Sequence, residues 1–275
     1  MTTSTLITPN PVTDGQKDSI VRIAEEAAKK AITILNLTNP SSQRVIMRGD
    51  ELKAAIIAKV NELSFELPNL DCFAIDDWQT FYRIAFTPDQ MAAVGNFPWS
   101  EATLNSSCPF HKGKMVRETH FAFVGVDSVT MTELQRLNPK ATEPRFCSYA
   151  DAWYAKEKFA TKAPLGLRWY LLLRDIVPGS ENKTFDEQQA MLPAKYEVPS
   201  AVTETAKDLL VFKKTGVYVN PTRYARTVDL DSGGYRVRVG FCRAGGVHVD
   251  SCWDSRLDGN VGVGASRKFD QEPCS

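Results

Sequence analysis

Apolar residues recur at helical spacing through the first part of the chain. This periodicity predicts helices over residues 16–35 and 50–63. Thr87, Pro88 and Gln90 follow the order of an N-cap, a first helical residue and a capping-box partner, which predicts a short third helix. The pattern is that of a mainly helical region rather than of a sheet.

Beyond this region the spacing changes from helical to alternating. Strands are predicted over residues 120–126, 165–177, 235–239, 247–250 and 261–265. A helix is predicted from Thr130 to the residue before Pro139, and another over 200–215, where Gly216 marks the end.

These elements define three parts of the chain. Residues 1–13, in which Thr, Ser, Pro and Asn dominate, are expected to be a disordered tail. Residues 14–95 form the helical N-terminal region, and residues 96–275 form an α+β domain. Long irregular loops between the last strands carry most of the polar variety.

Composition and charge narrow the class of protein. The chain has 275 residues and a formal net charge of zero, so no excess of basic residues indicates a nucleic-acid partner. It has no apolar run of about 18 residues, so no membrane span is expected. The N-terminus lacks the basic and apolar segments of a secretory signal, so we expect a cytoplasmic protein with free thiols.

Two groups of residues allow catalytic or metal chemistry. Cys108, His111 and His120 could supply three metal ligands, although a loop with a buried thiol explains the same residues. Cys242 and Cys252 could form a redox pair, or His248 could serve a cysteine nucleophile as a base.

Two further patterns resemble ligand loops without meeting their requirements. The segment 229–234 begins like a calcium loop but lacks the later ligands, so a turn between two strands is predicted. The glycines at 259, 262 and 264 are not followed by the helix that a phosphate loop needs. No metal or cofactor is therefore predicted.

The most unusual feature is compositional. Lys, Glu, Gln and Met number 46 in the chain, yet none occurs in the 53 residues between Lys214 and Lys268. The same stretch holds seven Arg and five Asp together with Tyr, Trp, Ser, Asn and Gly. Such side chains suit a contact surface, because they lose less rotamer entropy on binding. Sheet structure, which also depletes Lys and Glu, is the alternative explanation.

The C-terminal motifs resemble those of a known family. The segments RYART at 223–227, RVRVG at 236–240, GVHV at 246–249 and VGVGASRKF at 261–269 are similar to the variable proteins of diversity-generating retroelements. The resemblance covers about residues 100–269. It implies a C-type-lectin-like fold, with mixed short strands and two main helices, and a variable region at about 235–265.

The resemblance also implies how the sequence came to be biased. In that family a template is copied with errors at adenines, and Asn-type codons become a set of residues that excludes Lys, Glu, Gln, Met and Trp. The implied ligand-binding positions are Tyr235, Arg236, Arg238, Phe241, Cys242, Arg243, His248, Asp250, Ser251, Cys252, Asp254, Ser255, Arg256, Asp258 and Asn260. Valines alternate with them and are expected to hold the sheet, and Trp253 is expected to pack in the core.

The resemblance thus implies a non-enzymatic protein that binds a protein or another macromolecule. The calcium-ligand motif of calcium-dependent lectins is incomplete at residues 253–255, so calcium-mediated sugar binding is not expected. Two alternatives remain open. The same fold hosts formylglycine-generating oxidases, which use a close cysteine pair, and a phage receptor-binding tip would place this protein on the virion surface.

Overall fold

The computed structural model describes residues 70–147 and 152–269, together with Lys29. The chain forms two compact units, Met1–Ser64 and Phe65–Ser275. In the first unit only Lys29 is described, and it is helical. The expected tail and the helices expected over 16–35 and 50–63 otherwise lie outside the described residues.

The second unit is a mixed α+β domain. Its helices within the described ranges are α1 (Ile75–Tyr82), α2 (Pro88–Ala93), α3 (Glu101–Leu104), α4 (Val116–Thr119), α5 (Met131–Leu137), α6 (Lys158–Thr161), α7 (Phe185–Ala190) and α8 (Ala201–Thr215), with a 3₁₀ turn at Trp153–Lys156. Its strands are β1 (Cys72–Phe73), β2 (His120–Val124), β3 (Trp169–Leu173), β4 (Tyr196–Glu197), β5 (Tyr224–Leu230), β6 (Arg236–Arg243), β7 (Gly246–Cys252), β8 (Val261–Val263) and β9 (Ser266–Arg267).

The domain begins earlier than the sequence boundary. Strand β1 pairs in parallel with β2. Trp78 of α1 is fully buried, and its indole N–H donates to the carbonyl of Val124 at 2.7 Å. Residues 70–95 therefore belong to the unit that starts at Phe65, and the expected boundary between 95 and 96 falls inside it.

Two sheets organise this domain. The first has the strand order β1-β2-β3-β9-β4, and the second has the order β7-β6-β5-β8. Helix α8 packs against strands of both sheets, so one core lies between them. After β8 completes the second sheet, the chain passes directly to β9 in the first. The second sheet is thus covered by α8 on one side, which leaves its other side for the site described below.

Helix α8 matches its predicted ends but not its predicted single apolar face. The Ser200 hydroxyl accepts from the Thr203 N–H, and Gly216 ends the helix in the left-handed region with φ 71°. Besides the expected apolar residues, the charged residues Glu204, Lys207 and Asp208 are fully buried. The cause is packing on every side, since α5, α6 and both sheets surround the helix.

No helix in the described ranges is long and apolar enough to cross a membrane.

Candidate ligand-binding surface

Strands β6 and β7 form a hairpin whose two faces have different chemistry. The inward valines Val237, Val239, Val247 and Val249 are at most 1% exposed and lie in the core shared with α8. The residues between them point away from α8, because side chains alternate along a strand. We use "outer face" for the opposite side of the sheet, formed by alternate residues of β5, β6 and β7, together with the turn residue Tyr235 and the loop 253–260.

The turn between β5 and β6 presents one side of the outer face. The Asp231 carboxylate accepts from the N–H groups of Gly233 and Tyr235, both at 2.9 Å. This confirms the turn predicted in place of a calcium loop. Tyr235 is exposed, and its ring meets that of Trp253 edge to face at 5.3 Å. The turn therefore brings together two large aromatic side chains on the surface.

Arginine–aspartate pairs cover the middle of the outer face. The Arg236 guanidinium binds both carboxylate oxygens of Asp254, at 3.0 and 2.8 Å. Arg238 donates to Asp250 at 2.6 Å and lies 3.6 Å from Asp258. The side chains of Asp250 and Asp254 are each 45% exposed, whereas those of Arg236 and Arg238 are only 12% and 9% exposed. The arginines are held by neighbouring rings, with Arg236 over the ring of Phe185 at 3.9 Å, so the carboxylates are the part of each pair that a ligand can reach.

Aromatic rings surround Arg238. Its guanidinium lies over the ring of Tyr224 at 4.6 Å, and the same ring contacts Phe241 at 4.6 Å. The ring of His248 is 6.1 Å from that of Phe241. Burial lowers the pKa of His248, and the charge of Arg243 lowers it further, so His248 is neutral at neutral pH. The site thus offers a ligand aromatic rings, a guanidinium and an imidazole, which are planar and weakly hydrated.

The structure assigns the predicted positions to three environments. Most of them lie on the outer face or in its loop and are at least partly exposed: Tyr235, Arg236, Phe241, Arg243, His248, Asp250, Asp254, Ser255, Arg256, Asp258 and Asn260. Arg238 and Cys252 occupy outer-face positions in the strand register but are 7% and 3% exposed.

Two predicted positions are corrected. Cys242 is fully buried in the core, because the chain irregularity after Gly240 shifts the alternation by one residue. Ser251 pairs with Val237 and so lies on the inward side of the hairpin. Neither side chain is part of the outer face.

The expectation that Trp253 packs in the core is also wrong. Its side chain is 58% exposed, and the neighbouring Leu257 is 61% exposed. The loop leaves β7 just before Trp253, so no strand alternation directs the ring inward. The sequence carried a weak signal for this, since the residues at strand spacing on either side of Trp253, Ser251 and Ser255, are polar. Tyr224, which the sequence analysis also missed, is the first residue of β5.

The candidate cysteine and metal groups have other surroundings. Cys252 pairs with Arg236, whereas Cys242 lies six residues further along β6, roughly 20 Å away at strand spacing. They do not form a close pair. Both ring nitrogens of His120 contact protein groups, including the Tyr196 hydroxyl at 3.1 Å. In the described ranges no three His, Cys, Asp or Glu side chains gather as a metal site would require.

Comparison with known proteins gives no match: no protein-family model fits the chain, and no curated protein and no solved structure is significantly similar to it.

Proposed function

We propose that this protein is a non-enzymatic binding protein of the retroelement-diversified type, with a C-type-lectin-like domain that presents its outer face to macromolecular ligands. The mixed α+β architecture with short strands in two sheets agrees with such a domain. The ligand-contacting set is the exposed part of the outer face, extended by Tyr224 and Trp253 and without Cys242 and Ser251.

One observation carries this proposal. Along a single hairpin, every inward valine is buried against α8, while the residues between them form a surface of aromatic groups and half-exposed carboxylates. Side chains that do not pack the core can be replaced without a cavity or a clash inside the protein. The arrangement separates the residues that hold the fold from those available for contact.

The chemistry of the outer face favours a macromolecule as ligand. Tyr235 and Trp253 supply large rings with few rotatable bonds, which are the usual anchors of protein interfaces. Arginine and aspartate are present in near-equal number, so the surface has no strong bias toward an anionic or a cationic partner. A cavity of about 780 Å³ lies instead near Arg168 and Lys268, and neither Tyr235 nor Trp253 lines it.

The origin of the surface is tested at the nucleotide level. The DNA flanking the gene should contain a near-copy of the codons for residues 235–265 that differs from the gene only where the copy has adenine, beside a reverse transcriptase gene. A complete flanking sequence without such a copy contradicts diversification by a retroelement. That result would not bear on the binding role, which the next experiment tests.

The binding role is tested with a displayed library. Codons for Tyr235, Arg243, His248, Ser255 and Arg256 are randomised, and the library is selected against lysozyme and serum albumin in parallel. We expect distinct binders for each target whose affinity is lost when their selected residues are reverted. Failure to recover target-specific binders from a folded library would contradict the proposal.

A matched library controls for general stickiness. It randomises exposed residues outside the outer face, such as Asp89, Lys112, Lys114 and Lys195. We expect no target-specific binder from this control, because these positions lack the neighbouring aromatic anchors. Equal recovery from both libraries would show that the outer face has no special capacity for binding.

A further inference from the structure

The loop 253–260 is held by its main chain rather than by its side chains. It connects β7 to β8 and has no helix or strand of its own. Five of its carbonyl groups accept hydrogen bonds from residues outside the loop. The Arg226 side chain donates to the carbonyls of Trp253 at 3.3 Å and of Arg256 at 2.6 Å. Main-chain N–H groups donate to the other three carbonyls: Phe185 to Asp254 at 2.8 Å, Asn182 to Asp258 at 3.0 Å and Tyr224 to Asn260 at 2.8 Å.

Arg226 makes two of these five bonds. It lies on β5 and is fully buried. One terminal nitrogen donates to the loop carbonyls, and the other donates to the carbonyl of Lys183 at 3.0 Å and to the side-chain oxygen of Gln188 at 3.1 Å. No salt bridge joins Arg226 to a carboxylate within the described ranges. Its forked geometry is therefore used to fix neutral oxygens, which a Lys ammonium cannot bind in the same directions.

Gln188 fixes the orientation of Arg226. The Gln188 side chain is fully buried, and its amide nitrogen donates to the carbonyls of Ser180 at 2.8 Å and Val261 at 3.0 Å. These two bonds set which end of the amide faces Arg226. The support of the loop thus has two buried layers, both outside the loop itself.

The loop's own side chains contribute less to its shape. Asp254 and Arg256 are 45% and 47% exposed at the side chain, and their ion-pair partners Arg236 and Asp258 are 12% and 22% exposed. Each pair thus has one solvent-accessible member, which weakens it relative to the fully buried hydrogen bonds of Arg226. A carbonyl acceptor is present in every amino acid, so the five framework bonds survive any substitution that the backbone conformation allows.

We propose that Arg226, oriented by Gln188, is a positioning residue that sets the conformation of the loop 253–260 through main-chain carbonyls, so that the loop's side chains can be exchanged without loss of its shape. The inference deepens the proposed function. It rests on that function only for the claim that the loop contacts a ligand. It also gives a reason for rigidity, since a loop already held in place loses less entropy when a ligand binds.

Amide hydrogen exchange on the full-length protein, without any ligand, tests this inference. In Arg226→Lys, we expect the amide groups of Phe185 and of the loop to exchange at least about 10-fold faster, while those of β2 and β3 stay unchanged. The control Arg243→Lys changes an exposed arginine of the same surface and should leave the loop exchange as in the wild type.

The complementary variant removes side chains from the loop while keeping its carbonyls. We expect the triple variant Asp254→Ser, Arg256→Ser and Asp258→Ser to keep loop exchange within about threefold of the wild type. Loosening of the loop in this variant by as much as in Arg226→Lys would overturn the inference, as would unchanged exchange in Arg226→Lys.

A wild-type measurement covers the case in which Arg226→Lys does not fold. The inference then requires the Phe185 amide, which donates to the Asp254 carbonyl, to be protected at least about 10-fold relative to an unstructured peptide. Exchange at the unstructured rate would overturn it. Because no ligand is used, the result is independent of whether the library selections succeed.

Discussion

At the scale of single residues, two tryptophans of this domain serve different purposes. Trp78 is fully buried and donates its indole N–H to the carbonyl of Val124. Trp253 is 58% exposed, and its ring meets that of Tyr235 edge to face at the surface. A ring that large is unfavourable in water unless a partner covers it. We therefore assign Trp78 to the framework and Trp253 to contact.

Replacement by alanine separates these two roles. Trp78→Ala should reduce the free energy of unfolding by about 3–5 kcal/mol, because it leaves a cavity and an unpaired carbonyl. Trp253→Ala should change it by less than about 0.5 kcal/mol, since the loop carbonyls remain bonded. Denaturant titration of both variants measures the difference. A loss of more than about 2 kcal/mol in the free energy of unfolding of Trp253→Ala would show that Trp253 stabilises the fold.

Buried charge is the other notable feature at this scale. Lys207 contacts the Glu204 carboxylate, and its ammonium lies 3.4 Å from the Asp208 carboxylate, with all three side chains fully buried. Asn220 donates to both carboxyl groups. Burial raises the pKa of Asp208 to about 8, an effect that Lys207 partly opposes. Burial raises the pKa of the Glu204 carboxyl as well, and one cation balances one anion, so the Glu204–Asp208 pair retains one proton at neutral pH.

This assignment predicts a pH dependence of stability. Between about pH 4 and 8 the unfolded chain releases the proton that the folded Glu204–Asp208 pair retains, so the free energy of unfolding falls as the pH rises through that window. Asp208→Asn should remove this fall, a difference of at least about 1 kcal/mol between pH 5 and 8. Denaturant titrations at both values provide the measurement. The exposed control Asp186→Asn should behave as the wild type, and an identical slope in Asp208→Asn would refute the assignment.

At the scale of elements, the β6–β7 hairpin depends on a close approach of its backbone to that of Phe146 and Cys147. Gly246 has φ 105°, and an added Cβ there would lie 2.4 Å from the backbone of Phe146 and Cys147. Those residues cover the outer edge of β7, where Val247 exchanges main-chain hydrogen bonds with Arg145 and Cys147. The covered edge protects the hairpin from pairing with another chain.

The two adjacent glycines of this hairpin provide a matched test. Gly246→Ala should destabilise the domain by about 2 kcal/mol or more, because it combines a positive φ with a backbone clash. Gly245→Ala has no atom within 4 Å of the new carbon and should be nearly neutral. Thermal unfolding of the pair gives the comparison. Equal melting temperatures for the two variants would mean that the close contact of Gly246 with Phe146 and Cys147 is not required for stability.

Local chemistry explains which elements the sequence predicts. The cap at Thr87, the helix start at Thr130 and the start of α8 follow from hydrogen bonds between residues three apart, and all three are present. The inward valines of β6 and β7 follow from alternation. Short strands such as β4 and β9 pair across more than 60 residues, so no local pattern contains them.

The same limit explains the errors in the site. The position of Cys242 depends on an irregularity in the strand, and the exposure of Trp253 depends on bonds from Arg226 and Phe185, which are distant in sequence. The buried charges of α8 were missed because helical periodicity assumes one solvent-facing side. Tertiary packing, rather than residue type, decided each of these cases.

At the scale of the whole molecule, α8 couples the two sheets on one side of the second sheet, while α7 and the loop 253–260 cover only part of its other side. The first sheet, α8 and the inward side of the second sheet share a continuous core. The segment that follows β8 returns at once to the first sheet through β9. The outer face is thus attached at both ends to a framework that its side chains do not build.

The most direct test of this separation compares the stability of two small libraries in the full-length protein. One carries random residues at the outer positions Tyr235, Arg243, His248, Ser255 and Arg256, and the other carries them at the inward positions Ala225, Val237, Val239, Val247 and Val249. Proteolysis of displayed variants across a temperature series reports the fraction that remains folded. The account predicts that most outer variants melt within about 5 °C of the wild type, whereas most inward variants are unfolded. Similar losses in both libraries would contradict it.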